Sequence, residues 1–142
     1  MKMVLLIMIM LSVLDAEILR NDHTKVVKDT TLNLEWEDDK VTKNLNYKEA
    51  IKYCANLSLR GSGWKLPTQE QLRSIVDKTN FYPSIASAFT QTTMRDSNSM
   101  YWSSTIYEFN KDAAWLVGFW GGGDHYSTMK YKANVRCVRK VQ

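Results

Sequence analysis

Histidine is almost missing from this chain: His23 and His125 are the only two. A general base working near neutral pH is most often a histidine, so the scope for acid–base catalysis is narrow. Cysteine is as scarce, with Cys54 and Cys137 alone. No Cys and His pair has zinc spacing, and no Ser or Cys stands where it would read as an activated nucleophile. The pair Asp38 and Asp39 lacks the further oxygen ligands that a calcium loop supplies. Six glycines and two prolines are too few for a linker or disordered tail, and no internal repeat is visible. These shortages argue against an enzyme and imply neither a cofactor nor a metal.

Long apolar runs are missing too, with one short exception. Lys2 is followed by an unbroken apolar stretch from Met3 to Leu11, then Ser12, Val13, Leu14, Asp15 and Ala16. A positive charge, an apolar stretch of about 7–15 residues and a small residue before polar sequence have the three-part form of a secretory signal. It predicts a signal peptide over residues 1–16, cut between Ala16 and Glu17. A spanning helix needs roughly 20 apolar residues, so no transmembrane segment is expected after cleavage. An uncleaved N-terminal anchor is the competing reading. The remaining residues, 17–142, suit one domain in a secreted or periplasmic protein or at the cell surface.

What is present fits a globular domain. Apolar residues make up 44% and aromatics 11%. The formal charge is +4, unevenly placed: residues 17–50 carry six basic against eight acidic side chains, and residues 99–142 six against three. In "VVKDTTLNLEWED" the apolar residues Leu32, Leu34 and Trp36 alternate with polar ones, and Asp29 with Thr30 can turn the chain, which predicts a hairpin. "NYKEAIKYCANLSLRG" opens on Asn46 with Glu49 three residues later, a capping box, and Tyr47, Ala50, Ile51, Cys54 and Leu57 recur at helical spacing up to Gly61. "LPTQEQLRSIVDKTN" announces a second helix capped by Thr68 and Gln71, with Leu72, Ile75 and Val76 on its apolar face. Trp64 between the helices reads as core.

Residues 81–98 read as a long loop. Strand-like segments follow in "MYWSST", "AAWLVGFW", "DHYSTMKYK" and "NVRCVRKV". Tyr101 and Trp102 read as packing residues. In the last segment Val135, Cys137 and Arg139 share one face, with Arg136, Val138 and Lys140 on the other. Arg136 can equally pair with a core-edge carboxylate such as Asp77 or Asp112. Helices followed by strands indicate an α+β domain. Closing its core brings the last strand beside the helices, so Cys137 can meet Cys54. In an oxidising compartment the pair is expected as a disulfide, with two buried thiols as the alternative.

Taken in order, "VVKDTTLNLEW", "YCANL", "GWKLPTQEQLRSIVD", "YWSST", "AWLVGFWGG" and "VRCVRK" resemble the family named after the C-terminal domain of the Legionella collagen-like protein, over about Val26 to Lys140. The resemblance implies a C-type lectin-like fold related to formylglycine-generating enzymes, with two helices on a twisted antiparallel sheet and a helix-to-last-strand disulfide. It also implies an adhesin that recognises sulfated glycosaminoglycan-type polyanions, often as a trimer. There are departures: no Gly-X-Y stalk precedes the domain, no reactive cysteine remains for oxidase chemistry, and the Glu-Pro-Asn or Gln-Pro-Asp loop of calcium-dependent lectins is missing.

Against that background, "GGGDHYSTMKYKANVRCVRK" draws attention. Tyr126, Lys130, Tyr131, Lys132, Arg139 and Lys140 mix cations with aromatics beside a glycine turn. Lysine attracts sulfate as a point charge, arginine binds it in a fork, and tyrosine offers a flat face to a sugar ring. The expected partner is a sulfated polysaccharide or cell-surface glycan. The competing reading is a solvated hairpin whose lysines discourage edge pairing. Nucleic acid shares the charge requirement, but export argues against it. A second function class is a structural subunit that binds protein through exposed aromatics among Trp115, Phe119 and Trp120. Asn56, in an "NLS" acceptor motif, falls within a helix and is given no role.

Overall fold

The computed structural model describes residues 17–39, 43–93 and 99–142. The expected signal peptide lies outside these residues. The architecture is α+β, with nine elements in chain order among the described residues. Three short strands open it: β1 (Ile18–Asn21), β2 (Val26–Asp29) and β3 (Leu34–Glu37). Two helices follow, α1 (Tyr47–Asn56) and α2 (Gln69–Ser74). Then come β4 (Met100–Ile106), β5 (Ala113–Gly118), β6 (Gly123–Thr128) and β7 (Val138–Lys140). The strands form two antiparallel sheets, one ordered β1-β2-β3-β7 and the other β4-β5-β6. The last strand therefore returns to the first hairpin, pairing Trp36 with Val138.

The β2–β3 turn is written in Asp29. Its buried carboxylate accepts from the amides of Thr31 and Leu32 at 2.9 and 3.0 Å, and Asn33 adopts the left-handed φ of +55° that asparagine tolerates. Leu34 and Trp36 are buried as the alternation predicts. Leu32 falls inside the turn and is exposed, so the apolar face starts one step later than expected. β1, which the sequence pattern did not disclose, adds an edge strand paired with β2.

Both helices begin where their capping boxes put them. Asn46 and Glu49 exchange side-chain and backbone bonds at 2.9 and 3.0 Å, as Thr68 and Gln71 do at 2.9 and 3.1 Å. α1 buries Ala50 and Cys54 but ends at Asn56, short of Gly61. Gly61 instead takes φ +107° in the following loop, where the Arg139 guanidinium passes within 3.5 Å of the space a Cβ would fill. Such a backbone favours glycine.

The core is double. One cluster holds Val26, Ala50, Cys54, Trp64, Leu66, Trp102, Leu116, Val135 and Cys137. The other holds Val27, Trp36, Leu72, Ile75, Tyr101, Val117, Phe119 and Val138. Neighbours along a strand point to opposite faces, so Val26/Val27, Tyr101/Trp102, Leu116/Val117 and Cys137/Val138 divide between the clusters. This explains why β5 is apolar on both faces. The Cys54–Cys137 disulfide lies wholly inside the first cluster, joining α1 to the residue before β7 with 5.4 Å between Cα atoms. Among the described residues no helix is long and apolar enough to cross a membrane.

Candidate functional site

The basic, aromatic C-terminal segment does not gather in one place. Tyr126 is paired across strands with Trp115, on the face that carries Val117. It stacks on Tyr107 with ring centroids 4.0 Å apart and planes 5° from parallel. Trp115 and Phe109 both meet Tyr107 edge-on, at 5.2 and 5.5 Å, and Trp115 Nε1 donates to Glu108 at 3.1 Å. Phe109, 81% exposed, stands at the outer limit of this patch.

Lys130, Tyr131 and Lys132 sit instead on the turn after β6. That turn is held by backbone bonds from Tyr131 to Thr128 (2.9 Å), from Met129 to Asp112 (2.8 Å), and from Tyr47 to Met129 (3.1 Å). Paired bonds of 2.9 and 3.0 Å between Leu45 and Ala133 close it. The Tyr131 ring packs edge-on against Trp102, whose Nε1 donates to the Leu45 carbonyl at 2.9 Å. Tyr47 meets the same indole at 5.5 Å. The turn is thus mounted on a buried tryptophan of the core. Lys130 and Lys132 flank Tyr131 in the open, and among the described residues neither forms an ion pair. Lys48 is also exposed, one residue beyond the Tyr47 amide that anchors the turn.

Arg139 and Lys140 lie on β7, in the other sheet. Lys140 is exposed. Arg139 is buried: Nε donates to Glu35 at 2.7 Å, its two terminal nitrogens donate to the carbonyls of Ser62 and Arg60 at 3.1 Å, and the guanidinium lies 4.5 Å from the Trp64 ring centroid. With its fork so occupied, Arg139 anchors the loop after α1 and has no free edge for a ligand.

The charges buried inside the molecule form a separate network, which the sequence pattern does not disclose. Arg136 pairs with Asp38 at 2.6 Å, not with Asp77 or Asp112. It also donates to the carbonyls of Glu37 (2.9 Å) and Gln91 (2.7 Å) and to Thr92 Oγ1 (2.9 Å), with Phe89 and Tyr101 against its plane. Arg20 reaches Asp38 from the other side, and the amides of Thr90 and Gln91 donate to it. Burial draws the Arg136 guanidinium below its ordinary value, while Tyr101 and Glu37 oppose the shift. Glu37 is buried as well, accepting from Tyr53 Oη (2.5 Å), Lys43 Nζ (2.7 Å) and the Cys137 amide (3.2 Å). Burial, then the Glu37 carboxylate, hold the Tyr53 phenol far above its ordinary range. Every carboxylate here is used by the protein, as buried charges require. Among the described residues no three or more His, Cys, Asp or Glu side chains are grouped to hold a metal.

The described residues form a disulfide-stapled α+β domain with a double core and a basic turn raised on one of its tryptophans. The chain matches the Lcl C-terminal domain family over residues 25–139 and belongs to that family. No curated protein matches it.

Proposed function

We propose that this chain is an exported, non-enzymatic binding domain that recognises anionic, sulfated glycans in the manner of an adhesin. The observation that carries the reading is the turn at 129–132: Lys130 and Lys132, exposed and free of ion pairs among the described residues, flank a tyrosine braced by Trp102. Charges that spend nothing on internal pairing are open to sulfate, and the fixed turn lowers the ordering cost of binding. Membership of the Lcl C-terminal domain family supports the same direction. The helix-anchored disulfide supports a C-type lectin-like scaffold and an oxidising, extracellular or periplasmic location. The oxidised protein should be retained on immobilised heparin, with elution moving steeply to lower salt in Lys130→Ala/Lys132→Ala. Equal elution of wild type and double variant rejects the site.

A second reading, a structural subunit that binds protein, is favoured by a different observation. Ile106, Phe109 and Tyr126 are exposed beside the half-buried Tyr107 and Trp115. An apolar patch of this kind suits association. Concentration-dependent oligomers that Phe109→Ser abolishes, together with no heparin retention, would establish it over the first.

A further inference from the structure

A hollow of about 590 Å³ opens at the end of the β4-β5-β6 sheet, where β4 and β6 begin and β5 ends, lined by Ser99, Met100, Gly118, Trp120, Gly123 and His125. Its volume is within the range of small-ligand sites, roughly 300–1,000 Å³. Glycine makes the space. A Cβ at Gly118 would come 3.1 Å from Met100 Sδ and 3.5 Å from His125 Cδ2, and one at Gly123 would come 3.5 Å from His125 Nε2. The His125 ring can therefore lie low over the strand ends. At Gly121, also in the lining, a Cβ would meet nothing within 4 Å, so the rim there is open.

One wall is an aromatic face. Trp120 is 55% exposed, and the Tyr82 ring abuts it edge-on with centroids 5.5 Å apart. The lining also includes an unused polar group: Ser99 is 1% exposed, and its Oγ has no hydrogen-bond partner among the described residues. A buried hydroxyl left unpaired is costly, and native structures rarely tolerate one without a reason.

These features select a ligand by elimination. No Lys, Arg, Asp or Glu lines the hollow among the described residues, so a charged ligand would lose hydration without gaining a counter-charge. A purely apolar ligand would fill the space but leave Ser99 Oγ unpaired. An uncharged ring with one apolar face and hydroxyls at its edge satisfies both: the face lies on Trp120, and the edge reaches Ser99 Oγ and a His125 nitrogen. We infer that this hollow is a second binding site, for a neutral pyranose ring. It shares no residue with the turn at 129–132, so the two sites stand or fall separately.

Titration of the oxidised protein with a panel of neutral methyl pyranosides (gluco, galacto, manno and N-acetylglucosaminyl), followed by NMR, tests the inference. At least one sugar should give saturable shifts of the Trp120 indole N–H and the His125 ring. Trp120→Ala, a change at a largely exposed side chain, should abolish them, and Ser99→Ala should weaken binding by fivefold or more. Heparin retention should be unchanged in both variants. No shift with any sugar overturns the inference. So does a shift that survives in Trp120→Ala, or a response to indole and adenine with none to the pyranosides, which would mark an aromatic-ligand site.

Discussion

Removing the single cross-link should cost more than any other local change, and its size can be worked from the chain. Cys54 and Cys137 are 83 residues apart, and both are fully buried. In the chain-entropy account, closing a loop of that length restricts the unfolded state by about 4.5 kcal/mol at 25 °C. Replacing both cysteines by alanine also empties two sulfur-sized spaces among Ala50, Trp64, Leu66 and Trp102, at about 1 kcal/mol each by comparison with buried methyl deletions. The sum, about 6.5 kcal/mol, is comparable to the whole stability of many domains, about 5–15 kcal/mol. With an unfolding entropy near 2.1 cal/mol/K per residue over roughly 120 residues, the midpoint should fall by about 25 °C. Thermal unfolding followed by near-ultraviolet circular dichroism, on the oxidised protein, the reduced protein and Cys54→Ala/Cys137→Ala, measures it. Reduction alone should produce most of the shift, since the sulfurs remain in place. A drop of less than about 5 °C in both samples would refute the reasoning, by showing that the unfolded chain gains little freedom when the bridge is cut.

Three further outcomes test the rest of the frame. Asp38→Asn leaves the buried Arg136 and the largely buried Arg20 facing a neutral amide, and should destabilise by about 3–5 kcal/mol in urea titrations; a change below 1 kcal/mol would mean the cations find other partners. Gly122→Ala should cost about 1–3 kcal/mol, because its φ is +76° and a Cβ would sit 2.5 Å from Val76 Cγ1, whereas Gly121→Ala, with open space, should stay within about 0.5 kcal/mol. The Tyr53 phenol is raised by burial and by Glu37, so the stability it contributes is complete below the unfolded tyrosine value near 10 and is lost as pH rises above it. Tyr53→Phe should flatten the alkaline fall in midpoint, and an unchanged pH profile would remove the raised phenol from the account.

Where a single local rule decides the structure, the fold was readable in advance. The two capping boxes located both helix starts because their bonds join residues three apart. The cysteine pairing was readable because only two were available and the α+β order brought the last strand back to the helices. What escaped depended on contacts distant in sequence. β1 is four residues with an alternating burial pattern, too short to announce itself without its partner β2. Charge alone offers Arg136 any core-edge carboxylate, such as Asp77 or Asp112. Its true partner, Asp38, is weighed in the sequence only as half of a poor calcium pair with Asp39, because only the pairing of β3 with β7 carries Glu37 and Asp38 to the buried segment at 136–137.

The same geometry explains why the basic segment reads as one site in the sequence and as three places in the fold. Alternation along β7 turns Arg139 inward with Cys137, and once inside it must be paired, so Glu35 and two loop carbonyls take its donors. Tyr126 lies on one face of β6, among rings that stack on one another. Only the turn is free of both constraints. Its backbone is satisfied by Asp112, Tyr47 and Leu45, and its tyrosine by Trp102, which leaves the two lysines with no internal partner among the described residues and a fixed mount to project from. Rigid support and unspent charge meet at Lys130–Lys132 and not at Arg139. A weaker hold on heparin in Arg139→Gln should therefore come with a lowered unfolding midpoint, whereas the lysine variants should lose retention at an unchanged one.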